Sequence, residues 1–273
     1  MPTTLEQALK LCAGRDLEII AGGTDVYPST TSSALHRDLL DITRIAGLSD
    51  VDMVSGGWRI GAAATWSDIA NADLPTCFAG LQQAAVQVGS VQIQNAGTIG
   101  GNLCNASPAA DGVPPLLALD ARVELRSLRA TRQVPLEEFL LGVRKTMLEP
   151  GEMMTAIIIP SPPDHTVGVF EKLGSREYLV ISICMTSAVI GVGENGLIDF
   201  ARVAVGACSA VACRVTEIED YLIGRSPTEC RLKPEHLASL TPIDDIRGSS
   251  AFRYEAATEQ CLRAVRRAGR EHG

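Results

Sequence analysis

The chain has 273 residues, 46% of them hydrophobic and 21% charged, and a formal net charge of −8. That is the balance of a globular protein with room for one large domain or two modest ones around a substantial core. The acidic charge argues against a nucleic-acid or anionic-membrane surface, and aromatic residues at 4% supply few platforms for base stacking.

From the N-terminus, residues 4–13 read as a helix. Thr4 with Gln7 three positions on has capping-box form, Leu5, Ala8, Leu9 and Cys12 share a face, and Gly14 closes it. A short apolar strand at 17–20 delivers the small-residue loop Ala21-Gly22-Gly23-Thr24-Asp25, and 38–42 reads as the next strand. After Gly56-Gly57, residues 58–62 are strand-like and Thr65 to Asp68 opens a helix. Leu81, Ala84, Ala85 and Val88 then mark an amphipathic helix ended by Gly89. The stretch 94–119, QNAGTIGGNLCNASPAADGVPPLLAL, is too long for one turn and too poor in apolar periodicity for a helix, so it reads as an extended glycine-rich loop. Beyond it, 122–126 and 131–134 form a predicted hairpin, a short helix follows Pro135, and 155–159 is a buried strand ended by Pro160.

Ser161-Pro162-Pro163-Asp164 continues neither strand nor helix and marks a domain boundary. The expected domains are 1–160, in two pieces of about 1–55 and 56–160, and 165–273. The second begins with a strand at 168–173, followed by a hairpin of 183–193 and 197–205 around Glu194-Asn195-Gly196. A helix at 215–224 and a closing helix from about 250 to 270 complete it.

The two glycine-rich loops are where chemistry is expected. Glycines there allow φ > 0 and leave no Cβ to keep an anion away, so successive N–H groups can form a concavity for phosphate. Either loop alone reads as an ordinary turn; two together can grip one diphosphate from both sides. Gly191 to Gly196 also spells GxGxxG, but that fingerprint needs a helix directly after it, and LIDFARVAV alternates like a strand. It reads as a hairpin turn. The eight cysteines and four histidines show no CxxC and no metal-ligand spacing, so neither zinc nor an iron–sulfur cluster is expected in this chain. Cys104 reads as a small core residue. With no secretion-type N-terminus, and a longest apolar stretch (181–192) too short to span a bilayer, a reduced, cytoplasmic protein is expected.

AGGTD, then TIGGNLCNASPAAD, then PLLALDARVEL resembles the flavin-binding subunit of the molybdenum-containing hydroxylases, the group of xanthine, carbon monoxide, nicotinate and aldehyde dehydrogenases. EKLGSREYLVIS and DIRGSSAFR extend the likeness over nearly the whole chain. The resemblance implies an α+β fold: a two-piece FAD-binding domain of the vanillyl-alcohol-oxidase (PCMH) type, then a C-terminal α+β domain with an antiparallel sheet. It implies FAD along Ala21, Gly22, Gly23, Thr24 and Asp25 on one side, and along Gly97, Thr98, Gly100, Gly101, Asn102 and Ser107 on the other, with Thr98 donating to a phosphate oxygen. Asp111 would accept from ribityl or ribose hydroxyls, or else cap its turn. Lys172 and Arg176 would stand as cations near the flavin pyrimidine edge, or as solvated charges at a strand end. Tyr178 would cover the ring or simply pack. Gln94 departs from the arginine often found there, and Ala210 and Ala212 from prolines.

The implied partners are a 2Fe-2S subunit and a subunit holding molybdopterin, with electrons leaving for NAD+ or another acceptor and no catalytic acid or base in this chain. Two other readings stay open: a self-sufficient flavin oxidoreductase on the same scaffold, and a non-catalytic nucleotide-binding scaffold.

Overall fold

In the computed structural model, residues 1–15, 17–29, 38–176 and 179–270 are described. Thr4 caps helix α1 (Leu5–Gly14), its hydroxyl accepting from Gln7 N at 3.3 Å, while Gln7 Oε1 reaches back to Thr3 N at 3.0 Å. The helix lays Ala8 and Leu9 on a small core with Leu40, Ile42, Ile45 and Leu48. Beside it run β1 (Glu18–Ile20), the one-turn helix α2 (Val26–Ser29) and β2 (Leu39–Asp41), the two strands pairing in parallel.

A hairpin of β3 (Val51–Val54) and β4 (Gly57–Gly61) follows, then five short helices: α3 (Trp66–Asn71), α4 (Ala79–Ala85), α5 (Val91–Ala96), α6 (Ile99–Asn105) and α7 (Val113–Ala118). Next come the hairpin β5 (Arg122–Arg126) and β6 (Thr131–Pro135), the one-turn α8 (Leu136–Phe139), a small hairpin of β7 (Leu140–Gly142) and β8 (Lys145–Thr146), and β9 (Met153–Pro160). Strand β9 inserts between β4 and β5, giving an antiparallel sheet of order β3-β4-β9-β5-β6. The sheet takes in Val51–Val54, ahead of the division expected near residue 55. Ile60, Val123, Leu125, Ile157 and Ile159 from this sheet pack against Trp66, Phe78, Leu81, Ile99 and Leu103 in the main core.

The expected extended loop at 94–119 is corrected: α5, α6 and α7 occupy most of it. Each is six or seven residues, at most two turns, so no 3.6-residue period can show in the sequence. Their stability comes from caps and packing. Ser90 accepts from Ile93 N at 3.4 Å and Thr98 from Gly101 N at 3.1 Å. Gly100 lies so tightly on Ala62 that a Cβ there would stand 2.5 Å from the Ala62 carbonyl oxygen.

The C-terminal half is a four-stranded antiparallel sheet in the order β10 (Thr166–Leu173), β11 (Cys184–Val192), β12 (Ile198–Gly206) and β13 (Cys213–Arg214). Helices α9 (Thr216–Leu222) and α10 (Ser250–Arg270) cover one face, burying Ile218, Leu222, Ala257, Cys261, Ala264 and Val265 with Val169, Ala188 and Val203. Alternate residues of the same strands, Phe170, Met185, Val189 and Ala204, meet α4 and α7 of the first half. Strand β11 is therefore buried on both faces, which explains its unbroken apolar run. The GxGxxG segment turns from β11 into β12 with Gly193 N donating to Leu197 O at 2.9 Å and Gly196 at φ +75, a hairpin as expected. The two halves meet backbone to backbone: a Cβ on Gly168 would stand 2.1 Å from Cys77 O, and one on Gly80 would stand 3.0 Å from Val169 backbone atoms. Among the described residues no helix is long and apolar enough to cross a membrane.

Candidate functional site

Strand β1 delivers the bend at Ala21 to Asp25, and α5 delivers the bend at Gly97, onto facing walls of one open groove of about 450 Å³. Ala21, Gly22, Gly23, Thr24 and Asp25 line one side; Gly97, Thr98, Gly101, Asn102 and Ser107 line the other. The bends touch at Gly22, where a Cβ would stand 1.7 Å from Ala96 O. Gly23 takes φ +68, bringing its backbone against the Tyr27 ring. A side-chain stitch holds the walls together. Asn105 Nδ2 donates to Asp25 Oδ1 at 2.9 Å, and Arg144 donates to the side-chain oxygen of Asn105 and to its carbonyl.

The two bends offer different things. Among the described residues, the N–H groups of Gly22, Gly23, Thr24 and Asp25 donate to no acceptor. At the α6 end most are already taken. Ile99 N and Gly100 N bond to Ala64 O and Ala62 O at 3.0 and 2.9 Å, Gly101 N to the Thr98 hydroxyl, and Asn102 N to Thr98 O. The expected second concavity of free N–H groups at 97–101 is thus corrected: docking α6 on the segment after β4 and the local caps use all but that of Thr98, which has no acceptor among the described residues. What this wall gives instead is a surface without Cβ atoms at Gly97 and Gly101, and a Thr98 hydroxyl whose proton remains to donate. Asn102 Oδ1 is buried without a hydrogen-bond partner. Trp66, Val88 and Ile93 add an apolar section to the lining. Free donors at close approach, a hydroxyl and an orphaned acceptor fit an elongated anionic ligand that carries donors of its own.

The remaining expected site residues stand elsewhere. Gly100 turns inward onto Ala62. Asp111 lies behind the groove wall, with Lys172 Nζ donating to Oδ2 at 2.6 Å and Ser182 Oγ to Oδ1 at 2.5 Å. Burial pushes the Asp111 carboxyl above its ordinary value, and Lys172 and Ser182 pull partly against that. Lys172 also donates to Gln87 O at 3.2 Å, and its side chain is only 5% exposed, so it is a buried ion-pair partner and not a solvated strand end. Arg176 is exposed and donates to Leu179 O. Tyr178 lies outside the described residues. Cys104, expected in the core, is exposed on the groove. Its place follows from α6: residues 98, 101, 102 and 105 share one helix face, and 104 is adjacent to it. The same spacing points to Asn105, whose bridging role becomes visible only once 99–105 is known to be helical.

Residues 1–162 match the family described as the FAD binding domain in molybdopterin dehydrogenase. The chain belongs to that family. Residues 170–268 of the flavoprotein match the CO dehydrogenase flavoprotein C-terminal domain. It is 36% identical over 231 residues to the nicotinate dehydrogenase FAD-subunit of Eubacterium barkeri, covering 82% of this chain and 78% of the relative. It is 32% identical over 225 residues to a putative xanthine dehydrogenase FAD-binding subunit of Escherichia coli, covering 79% and 75%. A chain of the carbon monoxide dehydrogenase from Hydrogenophaga pseudoflava superposes with a TM-score of 0.88 at 25% identity, over 99% of this chain and 96% of that one. The flavoprotein is an FAD-binding subunit of an oxidoreductase, with the α+β fold and the antiparallel C-terminal sheet that its motifs imply.

Proposed function

We propose that the flavoprotein holds FAD extended along this groove and serves as the electron-transfer subunit of a multi-subunit molybdenum hydroxylase. It would take electrons from a 2Fe-2S subunit and pass them to NAD+ or another acceptor. One observation carries the reading: the bends meet at Gly22, beside the N–H groups of Gly22, Gly23, Thr24 and Asp25, which have no acceptor among the described residues. A diphosphate needs several donors and close approach, and this bend has both. From the opposite wall the Thr98 hydroxyl donates to a phosphate oxygen, and Gly97 and Gly101 let the ligand lie against backbone. Asn102 Oδ1 accepts from a hydroxyl or N–H of the ligand, and Ser107, whose Oγ accepts from Ala109 N at 3.3 Å, keeps its proton to donate.

Asp111 and Lys172 act one layer back, holding the 107–111 wall in place, while Arg176 donates to Leu179 O. Bound along these residues, FAD would supply the redox chemistry itself, so no side chain of the groove would be needed as acid or base. Support for partner subunits comes from relatives named as the FAD-subunit of nicotinate dehydrogenase and the FAD-binding subunit of xanthine dehydrogenase.

Purification of the native complex tests this. Flavin absorption should accompany the chain, and molybdenum and iron should co-purify with it. A chain that stays colourless in excess FAD overturns the reading, and so does a flavin-loaded chain that turns over substrate alone.

A further inference from the structure

The run from Asp245 onward contains an arginine that stays clear of the groove lining. Arg253 is 3% exposed, and its guanidinium donates to Ile183 O at 2.5 Å, Ala207 O at 2.8 Å and Asp245 Oδ1 at 2.7 Å. Nη1 and Nη2 make these three bonds while Nε is buried without a partner, and a buried cation held by two carbonyls and a carboxylate is costly to disturb. The two carbonyls belong to residues that lie one step from the groove wall. Ser182, next to Ile183, donates to Asp111 at 2.5 Å, and Ala207 N donates to Pro108 O at 3.0 Å. Ala207 sits at φ +61, a conformation a non-glycine residue keeps only where its surroundings fix it. Residues 182–183 and 207 therefore face two ways, with carbonyls on Arg253 and donors on segment 107–111. That segment supplies Ser107, Ala109 and Ala110 to the groove.

We propose that Arg253 is a positioning residue for the cofactor groove: by fixing the Ile183 and Ala207 carbonyls it sets the 107–111 wall, and with it the grip on FAD. The inference rests on the groove being the FAD site. Arginine is required because its planar fork spans two carbonyls and a carboxylate at once, which a lysine ammonium does not do.

The test compares full-length R253K, S182A and V265A with the unaltered chain. Val265 lies buried on the same helix, away from these contacts, and controls for loss of stability alone. We expect V265A to lower the melting temperature and leave FAD affinity unchanged. R253K should weaken FAD binding roughly tenfold, the scale of a typical coupling between sites. It should also speed hydrogen exchange across 107–112 in the FAD-free chain. S182A cuts one of the two arms and should move both readouts the same way by less; it decides the matter if R253K does not fold. Unaltered FAD affinity and unaltered exchange at 107–112 in these variants overturn the inference and leave the FAD reading standing. An unaltered chain that takes no FAD overturns that reading and the grip on FAD with it.

Discussion

Placing alanine at Gly22 is the sharpest perturbation the groove allows. The new Cβ would stand 1.7 Å from Ala96 O and 2.3 Å from Ala96 C, both backbone atoms that no rotamer change can move. Non-bonded heavy atoms settle at about 3.5 Å, so the bends must part by well over an ångström. The Asn105–Asp25 hydrogen bond, 2.9 Å across the same gap, would be drawn out of range. A diphosphate held from both sides would keep the donors of one wall only. Two lost hydrogen bonds to a charged ligand, at about 1.5–3 kcal/mol each, amount to about 3–6 kcal/mol. That raises the Kd for FAD by roughly a hundredfold to ten-thousandfold. The assay is titration of the FAD-free chain followed by flavin fluorescence quenching, with thermal melting alongside. G14A is the matched control, since a Cβ on Gly14 meets nothing within 4 Å. A G22A chain that binds FAD as tightly as the unaltered one refutes the reasoning.

Other consequences are open to equally direct checks. K172M strands the buried Asp111 carboxyl and should cost about 3–5 kcal/mol in denaturant unfolding, most of it recovered in K172M/D111L; additive losses in the double variant would contradict this. T98A removes the α6 cap and should cost about 1 kcal/mol together with part of the FAD affinity, whereas T98S keeps both. Arg132, hydrogen-bonded to Glu152 at 2.8 Å, holds that carboxyl below its ordinary 4.5. Because the folded value is the lower one, this contribution is present above pH 4.5 and is lost as the pH falls through the folded value. E152Q should therefore flatten the acid limb of melting temperature against pH, and an unchanged limb would count against the assignment.

The C-terminal half is legible in the sequence because its signals are long and local. Asn195-Gly196 announces its turn, β11 and β12 run nine residues each, and α10 repeats its apolar face over 21 residues. Stretch 94–119 is opaque for the opposite reason: its helices are too short to show a period, and their caps, Ser90 and Thr98, look like loop residues. Sequence reading finds the two bends and, through the family resemblance, their shared purpose. It does not find that one offers bare N–H groups and the other a smooth wall, since that depends on Ala62 and Ala64 taking the amides of α6. Nor does it pair Asp111 with Lys172 and Ser182, which lie far along the chain and come together only when β10 and β11 pack on α7.

Where Gly168 rests on Cys77 and Gly80 rests on Val169, main chain bears directly on main chain. At those two points no side chain separates the halves, so a substituent on either glycine would force main chain from main chain and pry the seam open.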